Sequence, residues 1–112
     1  MSAVVRLNDF RRRAPHLHFT RAELNRLLGL YASRVIRGEW RDYAIHHGPD
    51  SASFMVFASS HEQPQFIISK QGKSKTSDPG YVVMSRVEKL KTGATLDDVL
   101  AVFNRPIRLV TG

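Results

Sequence analysis

The fold of this chain is decided by residues 19–38, which read FTRAELNRLLGLYASRVIRG. The hydroxyl of Thr20 can accept a hydrogen bond from the backbone N–H of Glu23, and the Glu23 carboxylate can reach back to the N–H of Thr20. This reciprocal pair is the capping box of a helix N-terminus. Gly38 stands where a left-handed residue ends a helix. The stretch therefore predicts one long helix that begins at Thr20 and ends before Gly38.

The apolar residues of this helix recur at helical spacing, which predicts one buried stripe. The stripe consists of Leu24, Leu27, Leu28, Tyr31 and Val35. We expect it to pack on a sheet, with the arginines of the helix on the opposite side. Leu30, Ala32 and Ile36 widen the apolar surface, so we also expect contact on a second side, with the sheet or a second chain. At least one of Leu30 and Ile36 should be exposed in an isolated monomer.

Four strand-like segments follow the helix, and the connections between them are too short for helical crossovers. They are Tyr43–His47, Ala52–Ala58, Gln65–Lys70 and Tyr81–Val87. Strands joined by short connections pair antiparallel, so the sequence predicts a meander. The second segment is apolar on both faces, which predicts a central strand covered on both sides.

A second, shorter helix is predicted to begin after Thr95, whose hydroxyl can cap it, and to end near Asn104. Residues 4–7 could form a short strand, and residues 107–110 a final strand or an extended tail. The prediction is α+β: one domain over residues 1–112, with a long N-terminal and a shorter C-terminal helix packed on an antiparallel sheet of four or five strands. Residues 1–18 are expected to be an extended basic segment.

The composition excludes cysteine chemistry and argues against a membrane-spanning protein. The chain has 112 residues and no cysteine, which excludes disulfides, thiolate metal sites and cysteine nucleophiles and fits a reducing cytoplasm. No segment approaches the roughly 20 apolar residues of a membrane span. We expect a cytoplasmic protein with no membrane partner.

The net charge of +7 is distributed unevenly along the chain. Residues 1–41 carry +6, residues 42–69 carry −3, and residues 70–112 carry +4. Such asymmetry points to a polyanionic partner. The leading hypothesis is therefore a non-catalytic basic module that binds nucleic acid. The residues expected to contact phosphates are Arg11, Arg12, Arg13, Arg26, Arg34, Arg37, Arg41, Lys73 and Lys75. In the competing interpretation these side chains are solvated or paired with acids.

Catalytic and metal motifs are weak. Gly72-Lys73-Ser74 matches the end of a phosphate loop, but Ile67 stands where that motif requires glycine. The five histidines lack an acidic or sulfur ligand at a recognised spacing. Trp40 is more typical of a core residue than of a stacking platform. We predict no catalytic residue, metal or cofactor. The alternatives left open are a protein-interaction adaptor or homodimerising regulatory protein, and a small enzyme with an unrecognised site.

The run GEWRDYA at residues 38–44 is the most specific part of a resemblance. Together with residues 5–7, 24–28 and 99–110, it resembles a family of short bacterial proteins of unknown function, found mainly in alphaproteobacteria. The resemblance implies a bacterial cytoplasmic protein. That family has no assigned activity, substrate or catalytic residue, so the resemblance implies no site.

Overall fold

The computed structural model describes residues 17–59, 63–72 and 80–104. The elements, in chain order, are α1 (Arg21–Ile36), β1 (Asp42–His47), β2 (Ser51–Phe57), β3 (Phe66–Gln71), β4 (Gly80–Ser85), β5 (Lys89–Gly93), α2 (Leu96–Leu100) and a short 3₁₀ turn (Ala101–Phe103). All neighbouring strands pair antiparallel, in the order β1-β2-β3-β4-β5. The predicted α+β meander is confirmed. The predictions for residues 1–16 and 107–110 lie outside the described residues.

Helix α1 begins and ends as its sequence predicts. The N–H of Thr20 donates to Glu23 Oε1 at 2.8 Å, and the N–H of Glu23 donates to Thr20 Oγ1 at 3.1 Å. At the other end, Gly38 has a φ of 80°. Its N–H donates to the carbonyl of Val35, and the N–H of Glu39 donates to that of Arg34. This pair of bonds is a Schellman motif, which needs a left-handed residue at the position of Gly38.

The buried face of α1 is rotated from the predicted stripe. Leu27 is fully buried, and Leu24, Leu30 and Tyr31 pack partly buried against the core. Leu28 and Val35, which were predicted to be buried, are 36% and 40% exposed. That part of the prediction is wrong, because charged residues occupy two of the inward positions of the helix. The inward positions one turn before and two turns after Leu27 are Glu23 and Arg34, and a pattern based on apolar residues places charged residues outside.

The core lies on one face of the sheet. Its strand residues alternate along β2 and continue across the directly paired positions of β3 and β4. They are Ala52, Phe54, Val56, Ile68 and Val83. The core cluster includes no residue of the opposite face, where Met55 and Phe57 of β2 are half-buried. β2 lies between β1 and β3, which confirms that it is an interior strand, and full cover of its second side stays a prediction.

The sequence interpretation missed β5. This strand reads KLKTG, with Leu90 as its single large apolar residue, and it lies at the edge of the sheet. Edge strands with lysines resist pairing with other chains, but they lack the alternating pattern that marks a strand. Helix α2 follows as predicted, with a capping box formed by Thr95 and Asp98.

The rotated face of α1 gives a direct test. Leu27→Ala should lower the free energy of unfolding by about 2–5 kcal/mol, because it leaves a cavity in the core. Leu28→Ala, at the neighbouring position, should cost no more than about 1 kcal/mol, because that side chain is already partly in water. Urea unfolding midpoints measure both. Equal costs for the two variants would contradict the assigned face.

Candidate functional site

A cavity of about 470 Å³ opens where the end of α1 meets the sheet and the 3₁₀ turn. Cavities of this size hold small molecules in many proteins. Its wall is mostly apolar and includes three aromatic rings. We call it the aromatic pocket, and it is lined by Arg34, Glu39, Trp40, Ala58, Gln65, Phe66, Leu90, Val102 and Phe103.

The three rings of the aromatic pocket hold one another in place. The Trp40 ring centroid lies 6.1 Å from that of Phe66 and 5.6 Å from that of Phe103, and the last two are 5.1 Å apart. The contacts of Phe103 are edge-to-face, a favourable geometry for aromatic pairs. Trp40 is 2% exposed, which confirms that it is a core residue. The wall is therefore formed before any ligand arrives.

Arg34 closes one side of this pocket. One terminal nitrogen donates to Glu39 Oε1 at 2.7 Å, and the other donates to the backbone carbonyl of Phe103. The guanidinium carbon lies 5.7 Å from the ring centroids of both Trp40 and Phe103, within the range of cation–π attraction. The Arg34 side chain is only 16% exposed. This guanidinium is thus held by the fold and is poorly placed for a phosphate on the surface.

Gln65, one of the residues that line the pocket, carries an unusual polar atom. Its Oε1 atom is buried and has no hydrogen-bond partner. A buried acceptor left without a donor costs on the order of 1–3 kcal/mol. A donor group supplied from the cavity would remove that cost, so Gln65 is the polar anchor that a ligand could use.

A second polar cluster joins the start of α1 to the sheet. Lys70 Nζ donates to Glu23 Oε1 at 3.0 Å and to the carbonyl of His18 at 3.0 Å. The Tyr81 hydroxyl donates to Glu23 Oε2. The side chains of Lys70 and Glu23 are only 10% and 14% exposed. We call these three residues, Glu23, Lys70 and Tyr81, the helix clamp.

The shifted pKa values of Glu23 and Tyr81 favour a structural role for the helix clamp. Burial alone would raise the pKa of Glu23, but hydrogen bonds from Tyr81, the Thr20 N–H and Lys70, with the charge of Lys70, outweigh it and lower that pKa. Burial, followed by the hydrogen bond to Glu23 and its charge, raises the pKa of Tyr81 to about 12. A general base needs a pKa near the working pH. Tyr81 therefore holds its proton for Glu23 and is a poor base.

Comparison with known proteins places the chain among proteins without an assigned function. The model of the family DUF2794, described as a protein of unknown function, matches residues 17–100. The chain belongs to DUF2794. No curated protein matches the chain, and no solved structure matches it. The resemblance to a family of unknown function is thereby confirmed, while an alphaproteobacterial origin stays a prediction.

Three of the predicted phosphate contacts of this DUF2794 chain are ion-paired. Besides Arg34, Arg26 lies 2.7 Å from Asp97, and Arg37 lies 3.7 Å from Glu39. The Arg26 and Arg37 pairs are exposed, and such pairs contribute little to stability. A strong anion could therefore compete for these two arginines, whereas Arg34 is tied into the pocket wall.

The remaining predicted contacts are not brought together by the described part of the chain. Arg41 is exposed just before β1. The others, Arg11, Arg12, Arg13, Lys73 and Lys75, lie outside the described residues. The described residues hold nine Lys or Arg and seven Asp or Glu, so they carry +2 of the total +7. Most of the excess positive charge of this DUF2794 chain thus belongs to segments that the structure does not describe.

Within residues 17–59, 63–72 and 80–104, no three His, Asp or Glu side chains lie close enough to hold a metal ion. No helix in that part of the chain is both long and apolar enough to cross a membrane.

The helix clamp predicts an unusual tyrosine titration. In an alkaline absorbance titration of the three tyrosines, one phase should have a pKa of about 12, and Tyr81→Phe should remove it. Tyr43→Phe is the control and should leave that phase in place. Because the folded pKa exceeds the usual value of 10.0, the stabilisation from Tyr81 should be complete below pH 10 and lost as the pH approaches 12. Persistence of the phase in Tyr81→Phe would show that the clamp is assigned wrongly.

Proposed function

We propose that this DUF2794 domain is a non-catalytic binding module whose ligand site is the aromatic pocket. The ligand class is a small, uncharged ring compound that carries one N–H or O–H donor. The single observation that carries the proposal is the combination of a preformed aromatic wall with a buried acceptor on Gln65 that lacks a donor. Pockets that are largely apolar with a few polar groups are the usual form of small-molecule sites.

The electrostatics of the wall favour an uncharged ligand. The two charged side chains of the lining are Arg34 and Glu39, and they neutralise each other at 2.7 Å. An anionic ligand would have to displace Glu39, and a cationic ligand would have to displace Arg34 from two aromatic rings and a carbonyl. Either exchange breaks an existing ion pair, and this cost offsets the gain from the charge of the ligand. A neutral ring needs neither exchange.

The shape and polarity of the wall favour a planar ring. Phe66 is the least buried of the three rings and offers stacking and edge contacts to an aromatic ligand, while Trp40 and Phe103 pack behind it. Rotation of the Gln65 amide about its last side-chain torsion, which is broad and weakly restricted, would turn its oxygen toward the cavity. A ligand N–H would then form the hydrogen bond that the protein lacks.

The test compares two bicyclic probes of nearly equal shape, indole with an N–H donor and indene without one. Saturation-transfer NMR should show binding of both, with indole favoured about 2- to 10-fold, the value of one neutral hydrogen bond. Gln65→Leu should abolish that preference. Val102→Trp, which fills the pocket, should weaken the binding of both probes. Ala22→Leu, in a separate cleft, should leave the affinity for both unchanged. Binding unaffected by Val102→Trp would remove the aromatic pocket as the site.

Nucleic-acid binding is a second candidate, supported by the net charge of +7 and by exposed arginines near the end of α1. Contacts to several phosphates would give weak, largely sequence-independent binding with a steep salt dependence. Arg34 is left out of the test, because replacing it would damage the pocket wall.

For this candidate, replacing Arg26, Arg37 and Arg41 together by alanine should weaken binding to short DNA and RNA at low salt. It should also flatten the dependence of the logarithm of affinity on that of salt, by about one unit for each lost phosphate contact. Fluorescence anisotropy measures both quantities. The control variant replaces Lys89 and Lys91 of β5 by alanine and should lower the affinity for DNA and RNA by less. Absence of binding by the unmodified protein at low salt would reject this candidate.

A further inference from the structure

Among the described strands β1 is the first in the sheet order, so its outer edge carries backbone groups with no described strand beside them. Two backbone hydrogen bonds show which N–H and carbonyl groups of β1 point outward. The N–H of Gly48 donates to the carbonyl of Ser51 at 2.8 Å, and the N–H of Gly72 donates to that of Asp50 at 2.7 Å. By the alternation of antiparallel ladders, even-numbered residues of β1 bond to β2 and odd-numbered residues point away from it. Tyr43 and Ile45 therefore present an N–H and a carbonyl each to the outside.

The side chain of Asp42 supports this assignment. Its Oδ1 atom accepts a hydrogen bond from the N–H of Tyr43 at 2.8 Å. The carboxylate thus holds the position that an acceptor on a neighbouring strand would take. A local cap of this kind can be exchanged for a strand, because the Asp42 side chain is exposed and can turn back to water.

An apolar surface borders this edge on the core side of the sheet. Tyr43 and Ile45 are 38% and 37% exposed although they lie on the core face. The Tyr31 ring of α1 lies 4.8 Å from that of Tyr43, so this side of the helix lies over β1. Leu28 and Val35 flank Tyr31 at helical spacing and are also exposed. We call Leu28, Val35, Tyr43 and Ile45 the β1-edge patch.

We propose that the partner of this surface is a second copy of the chain, with the two β1 strands paired antiparallel about a two-fold axis at Ala44. Residues that face each other across a sheet point to the same side. This register places Tyr43 opposite Ile45 of the second copy on the apolar side. On the other side it places Asp42 opposite His46, a carboxylate opposite a group that can carry positive charge. The interface is thus self-complementary, as a two-fold contact requires.

The neighbouring register, with the axis at Ile45, fits less well. It would place Tyr43 opposite His47, near the end of β1 that is already covered. There the N–H of Leu17 donates to the carbonyl of Gly48 at 2.9 Å, and the ring of His18 lies 4.3 Å from that of His47. The axis at Ala44 keeps the pairing away from this covered end and uses the outward groups of Tyr43 and Ile45 in both copies.

A cysteine scan tests the register, because the natural chain has no cysteine. Across the axis, the Cα atoms of residue 44 would be about 4.5 Å apart, within the disulfide range of about 4.4–6.8 Å. Ala44→Cys should therefore form a disulfide-linked dimer under mild oxidation. Ile45→Cys and His46→Cys should not, since their copies would lie about 9 Å and 14 Å apart. Preferential cross-linking of Ile45→Cys would overturn the proposed axis.

A second measurement tests the dimer without a cross-link. Sedimentation equilibrium should show a concentration-dependent dimer that is lost in Ile45→Lys and kept in Met84→Lys. These two residues are 37% and 38% exposed, but Met84 lies on the opposite face of an interior strand, so the pair is a matched control. A strict monomer at high concentration, or equal effects of the two variants, would overturn the proposal. Circular dichroism confirms that each variant folds.

Discussion

The fold depends on pairing the charges that α1 carries on its buried side. Glu23 reaches Lys70 and Tyr81 at one end of the helix, and Arg34 reaches Glu39 and a backbone carbonyl at the other. A buried charge that loses its partner costs several kcal/mol. Sliding or rotating the helix by one residue would separate these pairs, whereas apolar contacts alone would tolerate such a shift. The two charged ends therefore fix the register of α1 on the sheet, and the leucines between them fill the space that this register leaves.

The sequence predicted the parts of this structure that depend on neighbours along the chain. The Thr20 cap, the turn at Gly38 and the antiparallel strands follow from patterns within a few residues, and all are present. The burial of Leu28 was predicted wrongly because the face of a helix was assigned from apolar residues alone. Glu23 and Arg34 face inward through partners 47 to 69 residues away, and no local pattern carries that information. The aromatic pocket could not be predicted for the same reason, since its walls come from residues 34–40, 58–66 and 90–103, which are far apart in the sequence.

The ligand proposal and the dimer proposal use surfaces that do not include the helix clamp. The aromatic pocket lies beyond the last turn of α1 and takes its wall from the same arginine that anchors the helix there. Arg34 is predicted from the sequence to contact phosphates, but its bonds to Glu39 and to the carbonyl of Phe103 give it a structural role while it adds to the net charge. The β1-edge patch shares no residue with the lining of the pocket, so separate variants test ligand binding and self-association.

The same long-range pairs shape how the chain folds. Each strand pairs with the strand that precedes it, so the sheet can grow hairpin by hairpin as the polypeptide leaves the ribosome. Helix α1 is synthesised before the sheet, but Glu23 can form its bonds only after Lys70 and Tyr81 have been made, 47 and 58 residues later. The carbonyl of Phe103, which accepts a hydrogen bond from Arg34, is made 69 residues after Arg34. Contacts of such separation carry the largest loop-closure cost and form late. The inner side of α1 therefore stays unpaired until residue 103 has been made, and incompletely packed surface of this kind is prone to aggregation while the chain folds.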